Sequence, residues 1–150
     1  MKNLIKGKNI SAKEREDFIY LWRRVLNRVI KDPSHCLTLR DFHSPNLLWL
    51  PDTGGLPEEK VGILDFQDAL IGHPAFDLVS LLQDARLDVP LDLETELYNY
   101  YVSKVLALDT SFDKSIFQFI YSALGAQRNT KILGIFARLC KRDNKPQYLK

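Results

Sequence analysis

Apolar residues recur at helical spacing early in the chain, at Phe18, Leu21, Trp22, Val25, Leu26, Val29 and Ile30, and this predicts an amphipathic helix over 12–31. Ser11-Ala12-Lys13-Glu14 reads as its capping box, and Asp32-Pro33 stops it, because the residue before a proline is driven out of the helical region. Cys36-Leu37-Thr38-Leu39 is short and apolar and leads into a polar loop. Asn46–Leu50 and Val61–Leu64 read as two short strands, separated by Pro51-Asp52-Thr53-Gly54-Gly55-Leu56-Pro57. Those turn residues predict a hairpin. From Pro74 the period is helical again, with Phe76, Leu78, Val79, Leu81 and Leu82. A helix is expected around Leu93–Leu108, a third over Ile116–Leu124 and a fourth over Ile132–Leu139. Asp143 to Lys150 reads as an irregular tail.

The expected fold class is therefore mainly α with a small β-hairpin. Its 150 residues suit one domain or most of one: helix 12–31, loop 38–46, hairpin 46–65 and a helical remainder over 74–140. With 45% hydrophobic residues the chain can build a core. The 21 basic and 19 acidic side chains leave a net charge of +2, and the basic ones are scattered apart from Lys141-Arg142 and Lys145, so a nucleic-acid partner gains no support. Cys36 and Cys140 lack zinc-site or disulfide-framework spacing, which fits a reducing, cytoplasmic setting. Residues 1–13 hold no apolar run of signal-peptide length, and no stretch approaches a membrane span.

The chemistry lies in Leu39-Arg40-Asp41-Phe42-His43-Ser44-Pro45-Asn46 and Ile63-Leu64-Asp65-Phe66. An Asp, an Asn five positions later and an Asp closing the next apolar strand suit phosphoryl transfer. That reaction needs positioning, charge neutralisation and a proton acceptor. Asp41 fits the acceptor of the hydroxyl proton. Asn46 and Asp65 offer one neutral and one charged oxygen, a donor set for Mg2+ held against nucleotide phosphates. Antiparallel strands bring the start of the first to the end of the second, so Asn46 and Asp65 are expected side by side. Asp-x4-Asn by itself occurs in many surface turns; the flanking strands give it weight.

Neighbouring residues carry two readings each. His43 either touches the phosphate or acceptor, or is a loop histidine bonded to backbone. Arg40 either braces the loop against a carboxylate or is solvated. Asp68 either orders the site or is a turn residue. Asp77, in the apolar context Ala75-Phe76-Asp77-Leu78-Val79, needs partners and is expected to accept N–H groups of the catalytic loop. Trp22, Trp49, Tyr98, Tyr100 and Tyr101 read as core. The acidic run Asp84, Asp88, Asp92, Glu94 and Glu96 reads as solvated helix ends, or else as a pocket for a polycation.

These motifs, with Gly62-Ile63-Leu64-Asp65-Phe66-Gln67-Asp68-Ala69 and Gly72-His73-Pro74-Ala75-Phe76-Asp77-Leu78-Val79-Ser80-Leu81-Leu82, resemble the aminoglycoside phosphotransferase and choline kinase superfamily. Within it the chain looks most like bacterial kinases of cell-wall amino sugars, N-acetylmuramate and N-acetylglucosamine, acting on the anomeric hydroxyl. Gln127-Arg128-Asn129, Lys131 to Leu139 and Arg142 to Pro146 add to that likeness. The resemblance spans about residues 15–150. It implies the C-terminal lobe of a protein-kinase-like fold, with Asp41 as base, Asn46 and Asp65 as Mg2+ ligands, and ATP as donor. It implies a small-molecule hydroxyl acceptor, with Gln127 and Arg128 lining its pocket.

Two departures stand out. Many superfamily members carry His-Gly before the catalytic Asp, where this chain has Leu39-Arg40. A phosphate-gripping glycine loop with a strand lysine is not legible either. Gly54-Gly55 falls where a hairpin turn belongs, and Gly7-Lys8 lacks the preceding glycine of a phosphate loop. The expectation is a chain that begins where the C-terminal lobe begins. An N-terminal lobe or a partner chain would then supply the nucleotide grip, and the isolated chain would turn over little. Two alternatives are an aminoglycoside-modifying enzyme and a non-catalytic remnant or binding module.

Overall fold

Helical periodicity in the chain becomes long helices, while its strands stay at three residues each. The structure, a computed structural model, describes residues 10–51, 55–56 and 60–144. It is mainly helical with two small two-stranded sheets. The chain divides into two units, residues 34–125 and residues 1–33 with 126–150.

In the second of these, helix α1 spans Ala12–Ile30. Ser11 and Glu14 close the capping box: the Glu14 N–H donates to Ser11 Oγ at 3.2 Å, and the Ser11 N–H donates to Glu14 Oε2 at 2.8 Å. The Ser11 N–H and the Ser11 hydroxyl, which also donates to Glu14 Oε2 at 2.8 Å, hold the Glu14 carboxyl below its ordinary value. The apolar stripe of α1 is only partly covered: Trp22, Val25, Leu26 and Val29 are half-buried, while Phe18 and Leu21 stay more than half exposed.

The unit of residues 34–125 carries the loops of interest. Strand β1 (Cys36–Thr38) pairs antiparallel with β4 (Leu70–Gly72), and β2 (Leu47–Trp49) pairs antiparallel with β3 (Val61–Ile63). The β2–β3 pair is the predicted hairpin; of its turn, residues 52–54 and Pro57 lie outside the described residues. The β1–β4 pair was not legible, since a three-residue strand shows no period. Gly72 permits it: a Cβ there would lie 2.7 Å from Oγ1 of buried Thr38. Helix α2 spans Ala75–Leu82, α3 Leu91–Leu108 and α4 Lys114–Arg142.

Ala75, Val79 and Leu82 of α2, Val102 of α3, and Phe117, Ile120, Tyr121, Ala123 and Leu124 of α4 form the core here. Phe117 stacks on Tyr101 at 5.6 Å and meets Phe112 at 5.1 Å, and Tyr98 meets Tyr121 at 4.9 Å. Such pairs add about 0.5–1.5 kcal/mol each beyond area burial.

Several expectations are corrected. The third and fourth predicted helices are one continuous helix, α4, belonging to this unit as far as Gly125 and to the other from Ala126. Gly125 and Gly134 inside it cost about 1 kcal/mol each against Ala, and with no proline between them neither breaks it. Trp49 and Tyr100 are not core but 79% and 60% exposed. Asp84 is not a solvated helix end but buried, and Glu94 is bonded to both Gln83 and Tyr121. Of the expected tail, Asp143 and Asn144 are outside any helix, and residues 145–150 lie outside the described residues. No helix among the described residues is long and apolar enough to cross a membrane.

Candidate active site

The site is built from two loops, each hung from a sheet. The first leaves β1 at Leu39. The Asp77 carboxylate, projecting from α2, accepts the Leu39 N–H at 2.6 Å and the Arg40 N–H at 2.9 Å. Burial pushes the Asp77 carboxyl above its ordinary value and the nearby Asp41 charge adds to the rise, while the two N–H groups pull it back. Arg40 sits at φ 71°, the left-handed region that costs a non-glycine residue about 1–2 kcal/mol. Held there, the backbone turns sharply and presents Asp41.

Asp41 is tied down by its backbone. Its N–H donates to the Leu39 carbonyl at 2.9 Å. Its carbonyl accepts the His43 N–H at 3.0 Å and the Asn46 Nδ2 at 2.9 Å. The Asn46 amide is thereby oriented: its nitrogen is used on the loop, and Oδ1 remains as the atom able to ligate. Ser44–Asn46 forms a single 3-10 turn, with Pro45 inside it, before β2 begins.

The second loop follows β3. The Leu64 N–H donates to the Asn46 carbonyl at 2.9 Å, extending the hairpin by one bond. Asp65, the next residue, is therefore beside Asn46. It lies at φ 58°, so this loop too stores strain of about 1–3 kcal/mol at the residue that matters. Gln67 Nε2 donates to Asp65 Oδ1. The loops are joined by Arg40, whose Nη1 donates at 3.4 Å to the carbonyl of Asp68. Arg40 thus braces a backbone oxygen rather than a carboxylate, and Asp68 takes part through its main chain within a turn.

His43 is 5% exposed. Its Nε2 meets Nη1 of Arg86, and Nδ1 is buried with no hydrogen-bond partner. The imidazole is accordingly a packed element of the loop, bonded to a side chain and not to backbone. Gln127 and Arg128 belong to the other unit, on α4. Gln127 there lines a cavity of about 240 Å³ with Phe18, Trp22, Leu26, Thr130 and Lys131.

Among the described residues no group of three or more His, Cys, Asp or Glu side chains could hold a metal unaided. Asn46 Oδ1 and the Asp65 carboxylate could contribute two oxygens instead. That set fits Mg2+, which keeps most of its shell for water and phosphate oxygens and takes few protein ligands. Reading the sequence missed Arg86 and did not tie Asp84 to this loop, because both lie in an irregular, charged stretch without periodicity. It also missed a role for Gln67, although the motif contains it.

Comparison with known sequences bears on the same stretch. The profile of the phosphotransferase enzyme family matches residues 6–109. An N-acetylmuramate/N-acetylglucosamine kinase of Caulobacter vibrioides is 48% identical over 109 residues, 73% of this chain and 28% of the relative. Kinases of the same name from Pseudomonas aeruginosa and Neisseria meningitidis are 32% and 33% identical over 85% and 95% of this chain. Those alignments cover 37% and 41% of the two relatives. The chain thus spans well under half the length of the curated relatives it matches.

Proposed function

The chain belongs to the phosphotransferase enzyme family, and from that premise we propose that it carries the catalytic and acceptor-binding part of an ATP- and Mg2+-dependent kinase of an amino sugar. The observation that carries the reading is the junction of the two loops. Asn46 is bonded through its carbonyl to Leu64 and through its amide to Asp41, so Asp41, Asn46 and Asp65 occupy one small region.

In the mechanism, Asp41 accepts the proton of the attacking hydroxyl and orients its oxygen towards phosphorus. Asn46 Oδ1 and the Asp65 carboxylate would hold Mg2+, which when bound neutralises the charge of the phosphates. Asp77 and Arg40 fix the loop backbone, so that Asp41 need not be reorganised at the moment of reaction. Asp68 contributes its carbonyl to that brace. Gln127 and Arg128 are proposed for the acceptor. The relatives' names make N-acetylmuramate or N-acetylglucosamine the acceptor to try first. A cytoplasmic site of action is part of the proposal, since ATP is the donor and both cysteines are unpaired thiols.

A polycationic acceptor is supported less. Of the five acidic residues in the stretch 84–96, Asp84 is buried and Glu94 is engaged with Gln83 and Tyr121. The 150 residues contain no glycine loop with a strand lysine. We therefore expect Mg2+-dependent nucleotide binding from them, and turnover only once a nucleotide lobe is joined to them.

The test is calorimetric titration of ATP into the chain, with and without Mg2+, for wild type and Asp65→Asn. The reading expects a Mg2+-dependent signal in wild type that Asp65→Asn loses. Equal behaviour of the two proteins would sink the metal role. Joining the chain to the N-terminal part of the Caulobacter relative, and offering N-acetylmuramate, N-acetylglucosamine or an aminoglycoside, identifies the acceptor.

A further inference from the structure

Between Asp41 and Asn46 stands His43, and its main chain is bonded to both. Its N–H donates to the Asp41 carbonyl at 3.0 Å, and its carbonyl accepts the Asn46 N–H at 2.9 Å. Any displacement of His43 therefore displaces the base and the metal-ligating amide together. The imidazole is buried, and its only hydrogen-bonded nitrogen is the one facing Arg86. A guanidinium has donors and no acceptor, so Nε2 accepts and the ring hydrogen sits on Nδ1.

Arg86 is itself well placed to act as an anchor. It lies in the irregular segment between α2 and α3. Its own N–H donates at 2.9 Å to Oδ1 of Asp84, which is 8% exposed. One residue earlier, Gln83 Nε2 donates to Glu94 Oε1 of α3 at 2.8 Å, and Tyr121 of α4 donates its hydroxyl to that same oxygen. The start of the segment is thus tied to Glu94 of α3, itself bonded to Tyr121 of α4, just before Arg86 reaches across to the loop.

Building on the phosphotransferase reading, we propose that Arg86 is a positioning residue: through the buried imidazole of His43 it sets the placement of Asp41 relative to Asn46. Without Arg86, neither ring nitrogen of a buried imidazole has a partner, and such a group turns or moves towards water. The two main-chain bonds of His43 transmit that movement to Asp41 and Asn46. Lysine in its place keeps a donor and the charge but not the planar fork, so it restores the contact in part.

The experiment uses the full 150-residue chain as wild type, Arg86→Ala, Arg86→Lys and Asp65→Asn. Three quantities are measured: the long-range nitrogen–proton spectrum of the His43 ring, hydrogen exchange of the Asn46 amide, and calorimetric affinity for Mg2+–ATP. In Arg86→Ala the Nδ1–H pattern of His43 should be lost. Asn46 exchange should rise about tenfold while amides of α2 and α3 keep their protection. Mg2+–ATP should bind several-fold more weakly, and Arg86→Lys should recover most of each effect. Unchanged His43 resonances and Asn46 exchange in Arg86→Ala would overturn the proposal. So would a uniform rise in exchange across the unit that lysine does not rescue, because that is general destabilisation. If Asp65→Asn binds Mg2+–ATP as wild type does, the metal role of Asp65 fails on its own, and the exchange at Asn46 still decides whether Arg86 holds the loop.

Discussion

Asp77 accepts the backbone N–H of Arg40 at 2.9 Å across 37 positions of sequence, and this bond holds a residue whose φ of 71° would otherwise relax. Its second oxygen takes the Leu39 N–H. A carboxylate with two N–H donors satisfies both at once, which an amide cannot do, because one of its two atoms is a donor.

Removing that acceptor should loosen the catalytic loop before it unfolds the protein. Asp77→Ala leaves two N–H groups without a partner and should cost about 2–4 kcal/mol, with Asp77→Asn intermediate. Urea denaturation of the three proteins measures it. The loss should be accompanied by faster exchange at the Leu39 and Arg40 amides.

The pH dependence of Asp77 runs opposite to that of a salt-bridged carboxylate. Burial raises this group in the folded protein, so the native state holds the proton more tightly than the unfolded chain does. Its contribution is fully present below the unfolded value of 3.8 and is lost as pH rises through the higher folded value. The stability difference between wild type and Asp77→Asn should therefore favour wild type more at about pH 3.5 than at about pH 7. A difference that instead grows towards neutral pH would mean the two N–H bonds outweigh burial.

The pairing of β1 with β4 depends on the absence of a side chain at Gly72. A methyl group there meets Thr38 Oγ1 at 2.7 Å, and Thr38, 2% exposed, has no room to move. Gly72→Ala should cost about 1–3 kcal/mol by overpacking. Thr38→Ala should recover part of that cost in the double variant, because it removes the opposing oxygen. Thermal melts of the four proteins in a double-mutant cycle give the coupling.

What the sequence made legible here is what local chemistry decides. Ser11 and Glu14 announce their cap at three-residue spacing, and the hairpin register that opposes Leu47 to Ile63 follows from two apolar runs around turn residues. That register is why Asn46 and Asp65, 19 positions apart, could be expected together. The β1–β4 pair and the His43–Arg86 contact are long-range pairings of short or irregular segments, and no period or motif foretells them. The positive φ of Arg40 and Asp65 was hidden for a related reason: neither is glycine, so only the surrounding bonds hold them there. Trp49 and Tyr100 misled because residue type predicts burial only on average.

Tyr121 should give the protein a sensitivity to alkali. Burial and the hydrogen bond to Glu94 push its phenol well above the ordinary value. A raised group contributes stability that is whole below its unfolded pKa, about 10, and is lost as pH rises through the folded value. Wild type should lose stability above about pH 10 relative to Tyr121→Phe. At neutral pH Tyr121→Phe should instead be the weaker protein, by about 1 kcal/mol, because Glu94 loses a donor. Chemical denaturation at both pH values checks the crossing.

Asp41 offers the sharpest separation of chemistry from architecture. The loop is organised by its main chain, since the carbonyl of Asp41 takes both the His43 N–H and the Asn46 amide. No hydrogen bond among the described residues uses its carboxylate. Asp41→Asn should therefore leave the melting temperature and Mg2+–ATP affinity close to wild type. Once the chain is joined to a nucleotide lobe, the same change should lower kcat by about 10²–10⁴-fold, the usual worth of a positioned general base. KM for ATP should change little, because Asp41 is not proposed as a metal ligand. A parallel loss of nucleotide affinity would move Asp41 into the metal site, and an unchanged kcat would remove it from the reaction.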